Sequence, residues 1–220
     1  NNCTMKNYKI TLSIIYVIYA CLMMSISRFG IELYLNNIGT LFLLILMLLD
    51  TRKNKLSKIG FWGLWLFSVL HCVGATWLYS FVPYNDWMIS LFGFDLDAFF
   101  GFTRNQYDRL VHFSFGVLLL AGAKDLIIHK YKFNIKQDLF VAFLSIQAFS
   151  MTYELFEWGI AVSLSEGMAE SYNGQQDDIW DAHKDMALAM LGSLIAWLAL
   201  SRIKKKKFTV EITQPEISPQ

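Results

Sequence analysis

Leu139-Phe140-Val141-Ala142-Phe143-Leu144-Ser145-Ile146-Gln147-Ala148-Phe149-Ser150-Met151-Thr152-Tyr153-Glu154-Leu155-Phe156-Glu157-Trp158 runs without a lysine, arginine or proline. A bilayer's hydrocarbon layer is about 30 Å thick, and a helix needs roughly 20 mostly apolar residues to cross it. This stretch is long enough, and it carries two carboxylates, Glu154 and Glu157, near one end. Five further apolar runs accompany it: Ile10–Ser27, Leu33–Leu49, Gly60–Val82, Leu110–Ile128 and Met186–Ser201, with the quoted run extending to Leu164. The segments between them are expected to be short and polar. In lipid each span must satisfy its own backbone hydrogen bonds, so helices are the economical form. The expected fold is an all-α polytopic bundle of about six transmembrane helices, one domain over 1–208, with a disordered cytoplasmic tail over 209–220.

Charge distribution sets an expected orientation. The chain has 19 basic and 18 acidic residues. With both termini in the cytoplasm, fifteen of the nineteen lysines and arginines fall on the cytoplasmic side. The exceptions are Arg28, Arg104, Arg109 and Lys184. That bias follows the positive-inside rule, and equal-sided termini require an even number of spans. The acidic residues concentrate at the opposite face. A near-neutral total suggests no nucleic-acid partner. Cys3, Cys21 and Cys72 show no CxxC spacing, so neither a disulfide framework nor a thiolate zinc site is expected. The first apolar run has no small-residue cleavage site and is expected to stay as a span.

The acidic face has internal order. Asp108 and His112 lie four apart at the start of the fourth span and share a helix face. At 1.5 Å per residue, His112 falls about 6 Å below the outer boundary and Glu154 roughly 8 Å below it. Glu157 is one turn nearer water. A sixth helix starting near Asp178 would align Asp178, Asp181 and Asp185, with Ala189, Gly192 and Ala196 continuing the stripe. Ionised groups at such depth cost about 2.5–3.5 kcal/mol each on insertion scales, and they normally face a bundle interior and find partners. Arg104, Arg109 and Lys184 are too few for the acids around them. A divalent metal ion or shared protons would resolve the excess. Oxygen ligands with an imidazole suit magnesium, manganese, iron or zinc.

The candidate metal ligands are His112, Glu154, Asp181 and Asp185, with Glu157 or Asp108 as general base. The chemistry this suits is metal-dependent hydrolysis or group transfer on a lipid or envelope substrate. Proton- or cation-coupled transport through Glu154 and Glu157, and a non-catalytic scaffold, are the alternatives. Transport sites favour the midplane and internal repeats, and neither is visible here. No P-loop, dinucleotide loop, nucleophile elbow or zincin helix is present. His71, nearer mid-span, reads as an interhelical packing residue. Trp158 and Trp180 read as interfacial aromatics.

The ordered combination His71-Cys72-Val73-Gly74, Arg104-Asn105-Gln106-Tyr107-Asp108-Arg109, His112-Phe113 with Gly116, Tyr153-Glu154, Glu157-Trp158 and Gln175-Gln176-Asp177-Asp178-Ile179-Trp180-Asp181 with Asp185 resembles the YjdF-like bacterial inner-membrane proteins. The resemblance covers about residues 60 to 200. That family carries a glycine in a Gln-Gly-Asp segment where this chain has Gln176 or Asp177. The resemblance implies a multi-pass protein of the bacterial inner membrane and no established activity.

Overall fold

The structure, a computed structural model, describes residues 2–27, 31–131, 133–163 and 176–212. All regular structure among the described residues is helical. The helices are α1 (Asn2–Ile26), α2 (Ile31–Lys53), α3 (Lys58–Thr76), α4 (Tyr84–Phe92), α5 (Leu96–Phe100), α6 (Tyr107–Lys130), α7 (Ile135–Ala161) and α8 (Asp181–Ile212). Six of them, all but α4 and α5, are long and apolar enough to cross a membrane. The last helix runs past the expected start of the tail at Thr209; residues 213–220 and Gln175 lie outside the described residues.

α6 is the hub. It packs on α3, α7 and α8, while α1 and α2 join the bundle through α3. Glycine makes these crossings tight. A Cβ on Gly116 would stand 2.0 Å from the Ala189 carbonyl oxygen, and one on Gly192 would stand 2.2 Å from that of Phe113. α6 and α8 therefore touch backbone to backbone, as small residues permit between membrane helices. On the other side of α6, a Cβ on Gly63 of α3 would sit 2.0 Å from the Leu118 carbonyl oxygen.

Three boundaries differ from the hydropathy pattern. The third apolar run reaches Val82, but α3 stops at Thr76. Leu78 and Tyr79 take left-handed backbone, with φ of 49° and 57°, and turn the chain back. The turn brings the Tyr79 hydroxyl within 2.5 Å of His71 Nδ1. The sixth span starts at Asp181, so Asp178 is not part of the expected helical stripe. It sits ahead of the helix, and its side chain accepts from Trp180 N at 3.1 Å. Finally, the connection from 77 to 106 is neither short nor polar, since it holds α4 and α5 and a set of exposed aromatic side chains.

The end of the bundle away from the acidic cluster is stapled by a buried ion pair. Lys9 Nζ donates to Asp50 Oδ2 at 2.6 Å, to Asn54 Oδ1 at 2.8 Å and to the Leu56 carbonyl oxygen at 2.7 Å. Asp50 Oδ1 in turn accepts from the backbone N–H groups of Lys55 and Leu56, both at 2.9 Å. This ties the starts of α1 and α3 to the end of α2 and satisfies the buried charges.

Candidate functional site

The site is built where α6, α7 and α8 meet at their acidic ends. Asp108 and His112 lie on the first two turns of α6, four residues apart, with His112 Nε2 3.6 Å from Asp108 Oδ1. Glu154 enters from α7, its Oε1 3.5 Å from His112 Nε2. Asp185 enters from α8, and one ligand atom each of Asp108, His112 and Asp185 lies within 4.8 Å of the other two. The Gly116 and Gly192 crossing explains the meeting. Drawing the two backbones together one to two turns deeper leaves Asp108, His112 and Asp185 on facing surfaces above it.

Burial and pairing divide the acids into two layers. In the outer layer, Asp181 Oδ1 accepts from Arg104 Nη1 at 2.5 Å and lies 3.4 Å from Arg109 Nη2. Asp178 is paired with Arg109 and with Lys184, the latter at 2.6 Å. These donors hold the Asp178 carboxyl down at about 2, the Lys184 hydrogen bond contributing most. In the inner layer, Glu154 is 8% exposed and Asp185 2% exposed. Among the described residues, neither Glu154 Oε1 nor Asp185 Oδ1 has a hydrogen-bond partner. The separations around His112 are too long to be hydrogen bonds. Two carboxylate oxygens are thus buried and uncommitted, an arrangement that demands a partner.

The expected site residues are distributed as follows. His112, Glu154, Asp185 and Asp108 come together. Asp181, a ligand candidate from its spacing, is instead committed to the two arginines. Asp108, a base candidate, stands among the potential ligand atoms. Glu157 is half-buried on the turn beyond Glu154, with Tyr153 as its side-chain hydrogen-bond partner. The matched depths expected for His112 and Glu154 agree with their 3.5 Å separation.

Sequence alone missed how the bases are spent. Arg104 and Arg109 pair directly with Asp178 and Asp181, and the imidazole of His112 is the group that stands within 3.6 Å of Asp108 and Glu154. Sequence named Tyr153 within the family pattern but not its contact with His112, whose ring stands 5.9 Å away, centroid to centroid. The position of Tyr153 beside Glu154 was the available signal. Polar contact continues below the site, where Gln147 Nε2 donates to Ser193 Oγ at 2.9 Å. The loop before α8 is pinned to the loop before α6. Asn105 N donates to Gln176 Oε1 at 2.9 Å, and Gln176 and Asp177 both take left-handed backbone, with φ of 48° and 63°. Left-handed backbone favours glycine, and here two non-glycine residues hold it.

Comparison with known proteins agrees with this architecture. The family described as "Predicted membrane protein (DUF2238)" matches residues 8–206. The chain is 30% identical over 158 residues to the inner membrane protein YjdF of Escherichia coli (strain K12), a match covering 71% of each chain. No solved structure matches the chain. With six spanning helices and a match over nearly its whole length, the chain belongs to the DUF2238 family of membrane proteins and is a multi-pass protein of the inner membrane.

Proposed function

We propose that this chain is a membrane-embedded, metal-dependent hydrolase or transferase acting on a lipid or envelope substrate. Its divalent ion would be held by Asp108, His112 and Asp185, with Glu154 beside them. The observation that carries this is the inner layer itself, with carboxylates from three helices around one imidazole and two buried oxygens without partners. Oxygens on opposite sides of a divalent ion stand about 4–5 Å apart, so side chains spaced like these need only small rotations to share one. The donor set, oxygens with a single nitrogen, suits magnesium, manganese, iron or zinc.

Bound there, such an ion supplies a Lewis acid and a water of lowered pKa. The protein supplies the rest. Arg104 and Arg109 hold Asp178 and Asp181 as a polar rim over the site. Glu157, nearer water than Glu154 and oriented by Tyr153, is placed to take a proton from a nucleophile. The distribution of lysine and arginine supports cytoplasmic termini and a site facing the outer leaflet.

The test is metal analysis of protein purified in mild detergent from medium supplemented with manganese, iron and zinc. A stoichiometric ion is expected in the parent, with a loss of about tenfold or more in His112→Ala and Glu154→Ala, since each removes a group at the site. A parent that retains no ion above the level of its His112→Ala variant sinks the proposal.

A further inference from the structure

The hairpin formed by α4 and α5 is built inside-out for water. Among the described residues, the two helices include no buried one. Leu91 is 74% exposed, Phe92 72% and Phe99 68%, with Ile89, Phe94 and Phe100 also exposed. Four polar side chains, Tyr84, Asn85, Asp95 and Asp97, pair across the hairpin, while Asp86 and Ser90 stay exposed. Asn85 Nδ2 donates to Asp95 Oδ1 at 3.1 Å, and Asn85 Oδ1 accepts from the N–H groups of Leu96 and Asp97 at 2.8 and 3.2 Å. The Tyr84 hydroxyl donates to Asp97 Oδ1 at 2.7 Å, and Ala98 N donates to Asp95 Oδ1 at 2.8 Å. The amides at the start of α5, which normally rely on water, are satisfied by side chains within the hairpin. A segment that pairs most of its polar side chains internally, leaves a few at one surface and turns its aromatics outward suits a membrane interface.

Its position names the medium. The hairpin joins α3 to α6 at the end of the bundle that holds the candidate site, so it sits at the level of a membrane boundary. Phe81 just before α4 and Phe102 just after α5 are exposed too, as is Leu110 on the first turn of the spanning helix α6. Its polar side is tied to the site. Gln106 N donates to the Tyr84 hydroxyl at 3.1 Å, and Asn105 Nδ2 donates to the Val82 carbonyl oxygen at 2.8 Å. We infer that α4 and α5 are an interfacial lipid anchor, embedded in the leaflet beside the candidate site and fixing that site's depth. No lysine or arginine occurs between Lys58 and Arg104, so the anchor holds by apolar insertion and not by attraction to anionic headgroups. The inference does not depend on a bound metal.

Spin labels on the full chain in phosphatidylcholine liposomes test this. The labelled variants are Leu91→Cys, Phe99→Cys and Phe100→Cys, made with Cys3, Cys21 and Cys72 replaced. Leu155→Cys serves as the lipid-facing reference and His183→Cys as the aqueous one. The ratio of oxygen to nickel-chelate accessibility at the three hairpin sites is expected to exceed the aqueous reference by roughly twofold or more, as for side chains in the acyl boundary. Adding phosphatidylglycerol or salt should leave it unchanged, as should Asp185→Asn. Ratios equal to the aqueous reference overturn the inference. So does protection from both reagents with spin–spin broadening, which would mean a second copy covers the face. Should the cysteine-free background fail to insert, quenching by brominated phosphatidylcholine of the parent and of Trp87→Phe decides the matter. Loss of a quenchable component in the variant supports the anchor, and an unchanged quenchable fraction overturns it.

Discussion

Glu154 Oε1 lies 3.5 Å from His112 Nε2, across the interface of α7 and α6, and both side chains are buried. The pair is close enough for strong electrostatic coupling and too far apart for a hydrogen bond. With Asp108 and Asp185 alongside, it forms a group of candidate ligand side chains beneath a layer where Arg104 and Arg109 pair with Asp178 and Asp181.

The two aspartates at the start of α8 should behave differently. Asp185→Asn is expected to lower bound metal by about tenfold or more, because it removes a ligand. Asp181→Asn should leave metal content close to that of the parent, because Asp181 is committed to arginines. Metal analysis of both variants checks this. Equal losses would return Asp181 to the ligand set.

The α6–α8 crossing should be intolerant of bulk. Gly116→Ala is expected to lower stability by about 1–3 kcal/mol, since the neighbouring atoms are backbone and cannot rotate away. Gly159→Ala is the control. It meets nothing within 4 Å and should be neutral or stabilising by up to about 1 kcal/mol through helix propensity. Thermal unfolding in detergent distinguishes the two.

The Lys9–Asp50 pair should be coupled. Lys9→Met leaves the buried Asp50 carboxylate without its cation and Asn54 Oδ1 and the Leu56 carbonyl without their donor, and is expected to cost about 3–5 kcal/mol. Lys9→Met with Asp50→Asn should recover part of that loss. A double-mutant cycle on thermal stability measures the interaction, and simple additivity would show that the two groups act independently.

Asp178 makes stability sensitive to acid. Its carboxyl is depressed from 3.8 to about 2, chiefly by Lys184 and with help from Arg109. A depressed carboxyl contributes stability that is fully present above its unfolded value and is lost as pH falls through the folded one. Asp178→Asn should therefore be less stable than the parent at neutral pH. The gap should close between about pH 4 and pH 2. Unfolding midpoints of both proteins across that range would show it.

Much of the architecture was legible because lipid constrains sequence directly. A span must be apolar over about 30 Å, so its presence is written in consecutive residues. A buried charge is costly, so His112 and Glu154 stood out by their depth, while Asp108, Asp181 and Asp185 stood out by their helical spacing. The α4–α5 hairpin was missed because its aromatic run is too short to span and its polar residues resemble an ordinary loop until their mutual hydrogen bonds are seen. The end of α3 was missed because hydropathy does not register the left-handed turn at Leu78 and Tyr79.

By itself, then, the sequence determined six membrane helices and the gathering of acids at one end, since both follow from the cost of placing polar groups in hydrocarbon. It could not assign partners. Asp181 and Asp185 are one turn apart on one helix and look alike in sequence, yet one meets arginines and the other faces His112. That choice was made by the tertiary structure, through the reach of Arg104 from the loop before α6 and of Arg109 from its first turn, and through the backbone contact at Gly116 and Gly192. Pairing depends on distances across helices, and those are set only once the helices pack.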